Sequence, residues 1–224
     1  MNMDWIISSI PIVLLLPLLI YAAFVISRPK VPLYFQITFY AGACALLEFL
    51  YENIVLLCNV NSELTNLGGL AVGGCCAFFF AANYGHFDSI VDGGQACYRK
   101  ERLLAWIAPV ISGATLLWAT VYSGYMEPLY LIIVIVNTVA ILPCSYFNMK
   151  FILMKDDGTG FIKGVKPLNI ASLAYIMLQW GYTLTALLEF DTEILDITNY
   201  ILEIIAIGAM FIFSVRGRKK WMSL

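Results

Sequence analysis

All thirteen Lys and Arg residues of the chain fall in four short stretches, and each stretch follows an odd-numbered apolar run. Arg28 and Lys30 follow the first run, and Arg99, Lys100 and Arg102 follow the third. Lys150, Lys155, Lys163 and Lys166 follow the fifth, and Arg216, Arg218, Lys219 and Lys220 follow the seventh. The even-numbered runs are followed by no cation. A membrane span needs about twenty apolar residues at ~1.5 Å each. Residues 5–27, 32–57, 65–87, 103–123, 128–149, 168–189 and 197–215 meet that need. Loops kept in the cytoplasm accumulate Lys and Arg. The alternation therefore predicts an all-α integral membrane protein of seven transmembrane helices, N-terminus outside and C-terminus cytoplasmic, in the plasma membrane.

With 61% apolar and 12% charged residues in 224, almost nothing is left over for a soluble domain, so residues 1–224 read as one transmembrane domain. The basic residues form short loop clusters rather than a continuous patch, which excludes nucleic acid as a partner. The first run has no basic leader and no A-x-A-like site, so it reads as a span and not a cleaved signal. Six cysteines without C-x-x-C spacing read as small packing residues. The two main cytoplasmic loops are expected at 88–102 and 150–167. The second contains the turn signal Asp156-Asp157-Gly158-Thr159-Gly160. It and the 216–224 tail are where a cytoplasmic protein could dock. The outer connections are acidic, with Asn59, Asn61 and Glu63, then Glu127, then Asp191, Glu193 and Asp196. Gly69 and Gly73 lie four apart in the third run. That spacing allows close helix approach, either inside the bundle or across an oligomer interface.

The pentapeptide Ala-Leu-Leu-Glu-Phe occurs at 45–49 and again at 186–190, each time with a second acid three residues on, Glu52 and Glu193. Pro17 and Pro143 fall in the inner halves of runs one and five, while Pro32 and Pro167 open runs two and six. Residues 5–87 and 128–215 thus read as parallel three-helix repeats joined by helix 103–123, or as a chance echo of common residues. In topology and in these four prolines the chain resembles the three-plus-one-plus-three carriers: SWEET and PQ-loop sugar and amino-acid carriers, and PnuC vitamin carriers. The resemblance implies that Pro17, Pro32, Pro143 and Pro167 gate the cytoplasmic side. The Pro-Gln dipeptide is missing, because Leu18 follows Pro17 and Cys144 follows Pro143. The segment Glu203 to Arg218 also resembles the seventh helix of microbial opsins, where an acid precedes the retinal lysine by four positions. Ile207 stands at the lysine position, and no lysine is expected inside a span. Covalent retinal is therefore excluded, and no cofactor is expected.

Glu48 and Glu203 are the acids expected deep within spans. Glu48 lies roughly 24 Å above Pro32, and Glu203 about 20 Å above Arg216, at ~1.5 Å per residue. Both depths fall in the outer half of a core ~30 Å thick. A carboxylate there must face the bundle interior. Tyr51 and Cys44 flank Glu48 on its helix, and Tyr200 and Asn199 flank Glu203. Gln179, Tyr182, Thr183 and Thr185 on run six reach the same level, with Glu189 above. Such a vestibule suits a small polar or cationic solute or a proton, or else two acids tying helices together by hydrogen bonds. His86, the only histidine, is either an interfacial residue or, with Asp88 and Asp92, the end of a proton path. One histidine supports no metal site and none of the Ser-His-Asp or Cys-His nucleophiles, so no catalytic residues and no enzyme are expected. Trp5, Trp106, Trp118, Trp221, Tyr122, Tyr125 and Tyr130 read as the interfacial aromatic belt.

The expected function is a small-solute carrier with an acidic outward-facing cavity. The alternatives are a seven-helix sensor of receptor-like type, or an accessory membrane subunit. The threading itself is directly testable. In intact cells a membrane-impermeant maleimide should label Asn61→Cys and Thr192→Cys but spare Thr159→Cys; labelling of Thr159→Cys alone would invert the orientation.

Overall fold

The computed structural model describes residues 3–58, 66–124, 128–155, 160–189 and 193–221, with the side chains of 3–8, 66, 86, 87, 90 and 193 outside that description. Among the described residues every element is helical, and seven rods are long and apolar enough to cross a bilayer. The chain is a polytopic integral membrane protein. Helices α1 (Met3–Ile26) and α2 (Leu33–Cys58) are continuous. Rod α3 is composite: a 3-10 turn Asn66–Gly69, an α-helix Leu70–Phe80, a π-helical stretch Ala81–Asp88 and a last turn Ser89–Val91. Rod α4 comprises Arg99–Ala105 and Ile107–Ser123, broken at Trp106. Helices α5 (Pro128–Leu153), α6 (Phe161–Leu187) and α7 (Glu193–Trp221) are continuous.

The span expected to begin at residue 168 starts seven residues earlier, and α5 runs four residues past its expected end. Both extensions are driven by burial. Ile162, Val165 and Leu168 form one helical face in the core, and Phe151 and Met154 do the same at the end of α5. Most of the expected 150–167 loop is therefore helix, and what remains at 156–159 lies outside the described residues. Pro167 does not open its helix, as expected, but sits inside α6. Pro32 does immediately precede α2, whose Phe35 N–H reaches its carbonyl at 3.0 Å.

Helix α1 packs on α2 and α7, and α4 packs on α5 and α6. The interior is enclosed by α2, α3, α5, α6 and α7. A Cβ on Gly73 would lie 2.9 Å from Asn137 Oδ1, and one on Gly69 would lie 3.2 Å from Ile133. Of the two readings of that glycine pair, internal packing is the one seen: helix α5 of the same chain fills the face.

Two polar assemblies brace the end of the bundle that carries the Lys and Arg clusters, here called the basic end. The first corrects the sequence reading. Lys150 is expected in a loop, with no lysine in any span, yet it lies near the end of α5 with its side chain 2% exposed. It pairs with Asp88 and Asp92, while Arg102 pairs with Asp92. Two cations and two anions thus cancel, and the Lys150 ammonium lies 5.6 Å from the ring centres of Phe147 and Phe151. The side chain of His86, expected either at the interface or, with these aspartates, at the end of a proton path, lies outside the described residues.

The second assembly is a knot of fully buried amides. Asn83 Nδ2 donates to Asn148 Oδ1 and to Asn169 Oδ1, each at 2.8 Å. Tyr34 Oη donates to Asn83 Oδ1 at 3.1 Å, and Asn148 Nδ2 donates to Ser172 Oγ at 2.8 Å. The knot ties α2, α3, α5 and α6 together within the apolar core.

Leaving a buried polar group without its partner costs about 1–3 kcal/mol, and stranding one half of a buried ion pair costs about 3–5 kcal/mol. Asn83→Leu and Lys150→Met should therefore each lower the melting temperature of the detergent-purified protein. The exposed Lys100→Met should leave it within about 0.5 kcal/mol of wild type.

Candidate functional site

Glu48 is half-buried on the interior face of α2. Its Oε2 accepts hydrogen bonds from Tyr175 Oη at 3.0 Å and Gln179 Nε2 at 3.1 Å. Tyr175 and Gln179 are four apart on α6, so they occupy one face and converge on the same carboxyl oxygen. Glu52 follows Glu48 by one turn of α2. Glu203, 8% exposed on α7, accepts from Asn199 Nδ2 at 3.4 Å, and Asn199 also approaches the Leu178 carbonyl at 3.5 Å. An edge-to-face contact between Phe49 and Tyr200, centroids 5.4 Å apart, holds α2 against α7 at this level.

Glu48, Glu52, Gln179 and Tyr182 form the shared wall of two chambers. One, of about 210 Å³, lies towards α3 and α5 and is completed by Tyr130, Asn137 and Thr183 among others. The other, of about 300 Å³, lies towards α7 and is completed by Asp196, Asn199, Tyr200 and Glu203. No Lys or Arg occurs at 31–98, 103–149 or 167–215, the stretches that supply every wall residue. Among the described residues no cation pairs with Glu48, Glu52 or Glu203.

Five of the seven expected site residues come together here: Glu48, Glu203, Gln179, Tyr182 and Tyr200. Two do not. Tyr51, three residues past Glu48, is turned out of the chambers into an apolar recess between α2 and α3, where a Cβ on Gly68 would lie 3.2 Å from its ring. Glu189 lies beyond the end of α6, exposed and in a left-handed backbone conformation with φ 55°. Cys44 faces Gly74 of α3, and Thr185 bonds back to the Tyr182 carbonyl. None of Pro17, Pro32, Pro143 and Pro167 lines a chamber, and Pro17 is exposed on the outer surface of α1. Tyr130, expected in the aromatic belt, is a chamber wall. Glu63, Glu127, Asp191 and the side chain of Glu193 lie outside the described residues.

The residues that sequence reasoning leaves out of the site are Glu52, Asn137, Asp196 and Tyr175. Two carry a legible signal. Glu52 repeats the acid of Glu48 one helical turn on. Tyr175 belongs to the series Asn169, Ser172, Tyr175, Gln179 and Tyr182, whose spacings of three and four mark a single polar stripe along α6. That stripe joins the chambers to the amide knot. Among the described residues no group of three or more His, Cys, Asp or Glu is placed to hold a metal ion.

An intramolecular hydrogen bond contributes about 0.5–1.5 kcal/mol net. Tyr175→Phe and Gln179→Leu should each destabilise the protein by about that amount and, sharing one oxygen, should do so non-additively. Both effects should vanish in a Glu48→Leu background when melting temperatures are compared. Comparison of the chain with protein-family models, with curated proteins and with solved structures finds no match.

Proposed function

We propose that this protein is a membrane carrier for a small organic cation or other polar solute, loaded from the outside of the plasma membrane into the two acidic chambers. The observation that carries the reading is the set of four carboxylates, Glu48, Glu52, Asp196 and Glu203, around joined cavities whose walls contain no basic residue. Carboxylates supply the attraction, and Tyr182, Tyr200, Asn199 and Gln179 supply orienting hydrogen bonds. An anionic solute, or the carboxylate of a zwitterion, finds no counter-charge there. The reading assigns the chain no chemical reaction.

Two further features support transport over simple binding. The chambers are backed at the basic end by the amide knot and the Asp88–Asp92–Lys150–Arg102 cluster, as expected of a carrier closed on one side. The packing order is also the one that two parallel halves would give. Helices α1, α2 and α3 pack in sequence, as do α5, α6 and α7. Across the seam, α1 on α7 mirrors α5 on α3, and α2 on α7 mirrors α6 on α3. A duplicated unit with its site between the halves is a common plan for transporters.

Uptake into proteoliposomes tests the reading, using radiolabelled monoamines, diamines, neutral sugars and amino acids. At least one cation should accumulate. Glu48→Gln and Glu203→Gln should each lower its uptake by about tenfold or more, the equivalent of ~1.4 kcal/mol of lost attraction. Saturable amine binding without uptake would favour the sensor, and neither binding nor uptake would leave an accessory subunit.

A further inference from the structure

At the basic end a second cavity lies outside the chambers, in the seam between α1 and α7. Helix α7 meets α1 closely at Gly208, whose Cβ position is 3.5 Å from Leu15 and 3.7 Å from Leu18. One turn further on, a groove of about 170 Å³ is walled by Leu18, Phe211, Ile212 and Val215. Tyr21 lies along it, and Arg216 and Lys219 close its end. The groove opens outward from the bundle: Tyr21 is 52% exposed and Ile212 39%.

The two cations differ from Lys150 and Arg102 at this end. Lys150 and Arg102 are neutralised by Asp88 and Asp92. Arg216 and Lys219 are exposed, and the segments of α1 and α7 that form their groove offer them no acid. Residues 5–47 and 204–224 contain no Asp or Glu at all. An apolar channel that faces lipid and ends in two cations with no ion pair among the described residues has the form of one ligand: hydrocarbon at one end and a negative head at the other.

We propose that the α1–α7 groove binds an anionic glycerophospholipid, one acyl chain lying against Leu18, Phe211, Ile212 and Val215 and the phosphate held by Arg216 and Lys219. The guanidinium offers a planar fork to two phosphate oxygens, and the ammonium, one helical turn on, adds a point charge. Basic pockets between membrane helices select acidic headgroups on the same electrostatic grounds. The assignment is independent of what the acidic chambers carry.

The test is lipid binding to the full chain in neutral detergent, measured by native mass spectrometry and by melting temperature. The probes are dioleoyl phosphatidylglycerol and dioleoyl phosphatidylcholine. Phosphatidylglycerol should bind roughly tenfold tighter or more. The double variant Arg216→Gln/Lys219→Gln should erase that preference, while Lys155→Gln/Lys163→Gln should keep it. Val215→Trp, which fills the groove, should weaken both lipids. Equal affinity of the wild type for the two lipids would overturn the proposal without recourse to any variant. So would a preference that survives Arg216→Gln/Lys219→Gln, or complete competition by inorganic phosphate, which would mark a site for free phosphate instead.

Discussion

Three long stretches of this chain, 31–98, 103–149 and 167–215, contain no lysine or arginine, and they build almost the whole interior of the bundle. Glu48, Glu52 and Glu203, which pair with no cation among the described residues, must be satisfied by neutral donors or by water. Glu48 takes its hydrogen bonds from a tyrosine and a glutamine, and Glu203 takes one from an asparagine. Removing an ion from water costs several kcal/mol even after relaxation. Neutral hydrogen bonds offset only part of that. On the carrier reading proposed above, that unmet demand is what draws a cationic solute into the chambers.

The same constraint explains the contrast between the two ends. Where Lys150 and Arg102 reach the interior, two aspartates meet them and the cluster sums to zero. Charge is cancelled within that cluster and left open in the chambers. Between them α6 supplies a continuous polar edge, from Tyr182 and Gln179 through Tyr175 and Ser172 to Asn169, in a bundle whose other contacts are mainly apolar. Each of these side chains has a partner on another helix or faces a chamber. Polar residues at such depth are expensive unless so paired, which ties the orientation of α6 to its partners on α2, α3 and α5.

The seven spans are legible in the sequence because length and hydropathy are one-dimensional properties, and the acids are legible because they are conspicuous in apolar runs. Which way each side chain turns is much harder to read. A helix in lipid is apolar on its outer surface and largely apolar on its inner one, so the amphipathic signal that orients helices in water fades. Spacing alone therefore assigns Tyr51 to a site that it turns away from, and it passes over Tyr175, which bonds to Glu48. A cation usually marks a span end, so Lys150 reads as a loop residue. Its pairing with Asp88 and Asp92, about sixty residues away, leaves no local trace. Helix ends shift for a related reason. Ile162 and Val165 lie among lysines and read as loop, until the core that they fill is seen.

On the carrier reading, the basic end must open in some state, and the structure restricts how. The amide knot and the ion-pair cluster are both anchored on α3, the knot through Asn83 and the cluster through Asp88. These two residues lie within one π-helical stretch, Ala81–Asp88. π-Helical turns are rare, occur mostly at functional sites, and hold one more residue per hydrogen-bonded turn than the α-helix. Returning that stretch to α-helical pairing would rotate the remainder of the rod by roughly a quarter turn or more, since one α-helical residue spans about 100°. Asp88 would then leave Lys150 as Asn83 lost its alignment with Asn148 and Asn169. Both closures would fail together, through a change confined to α3. Helices α5 and α6, which carry the other halves of the knot and line the chambers, would not need to move for the first step.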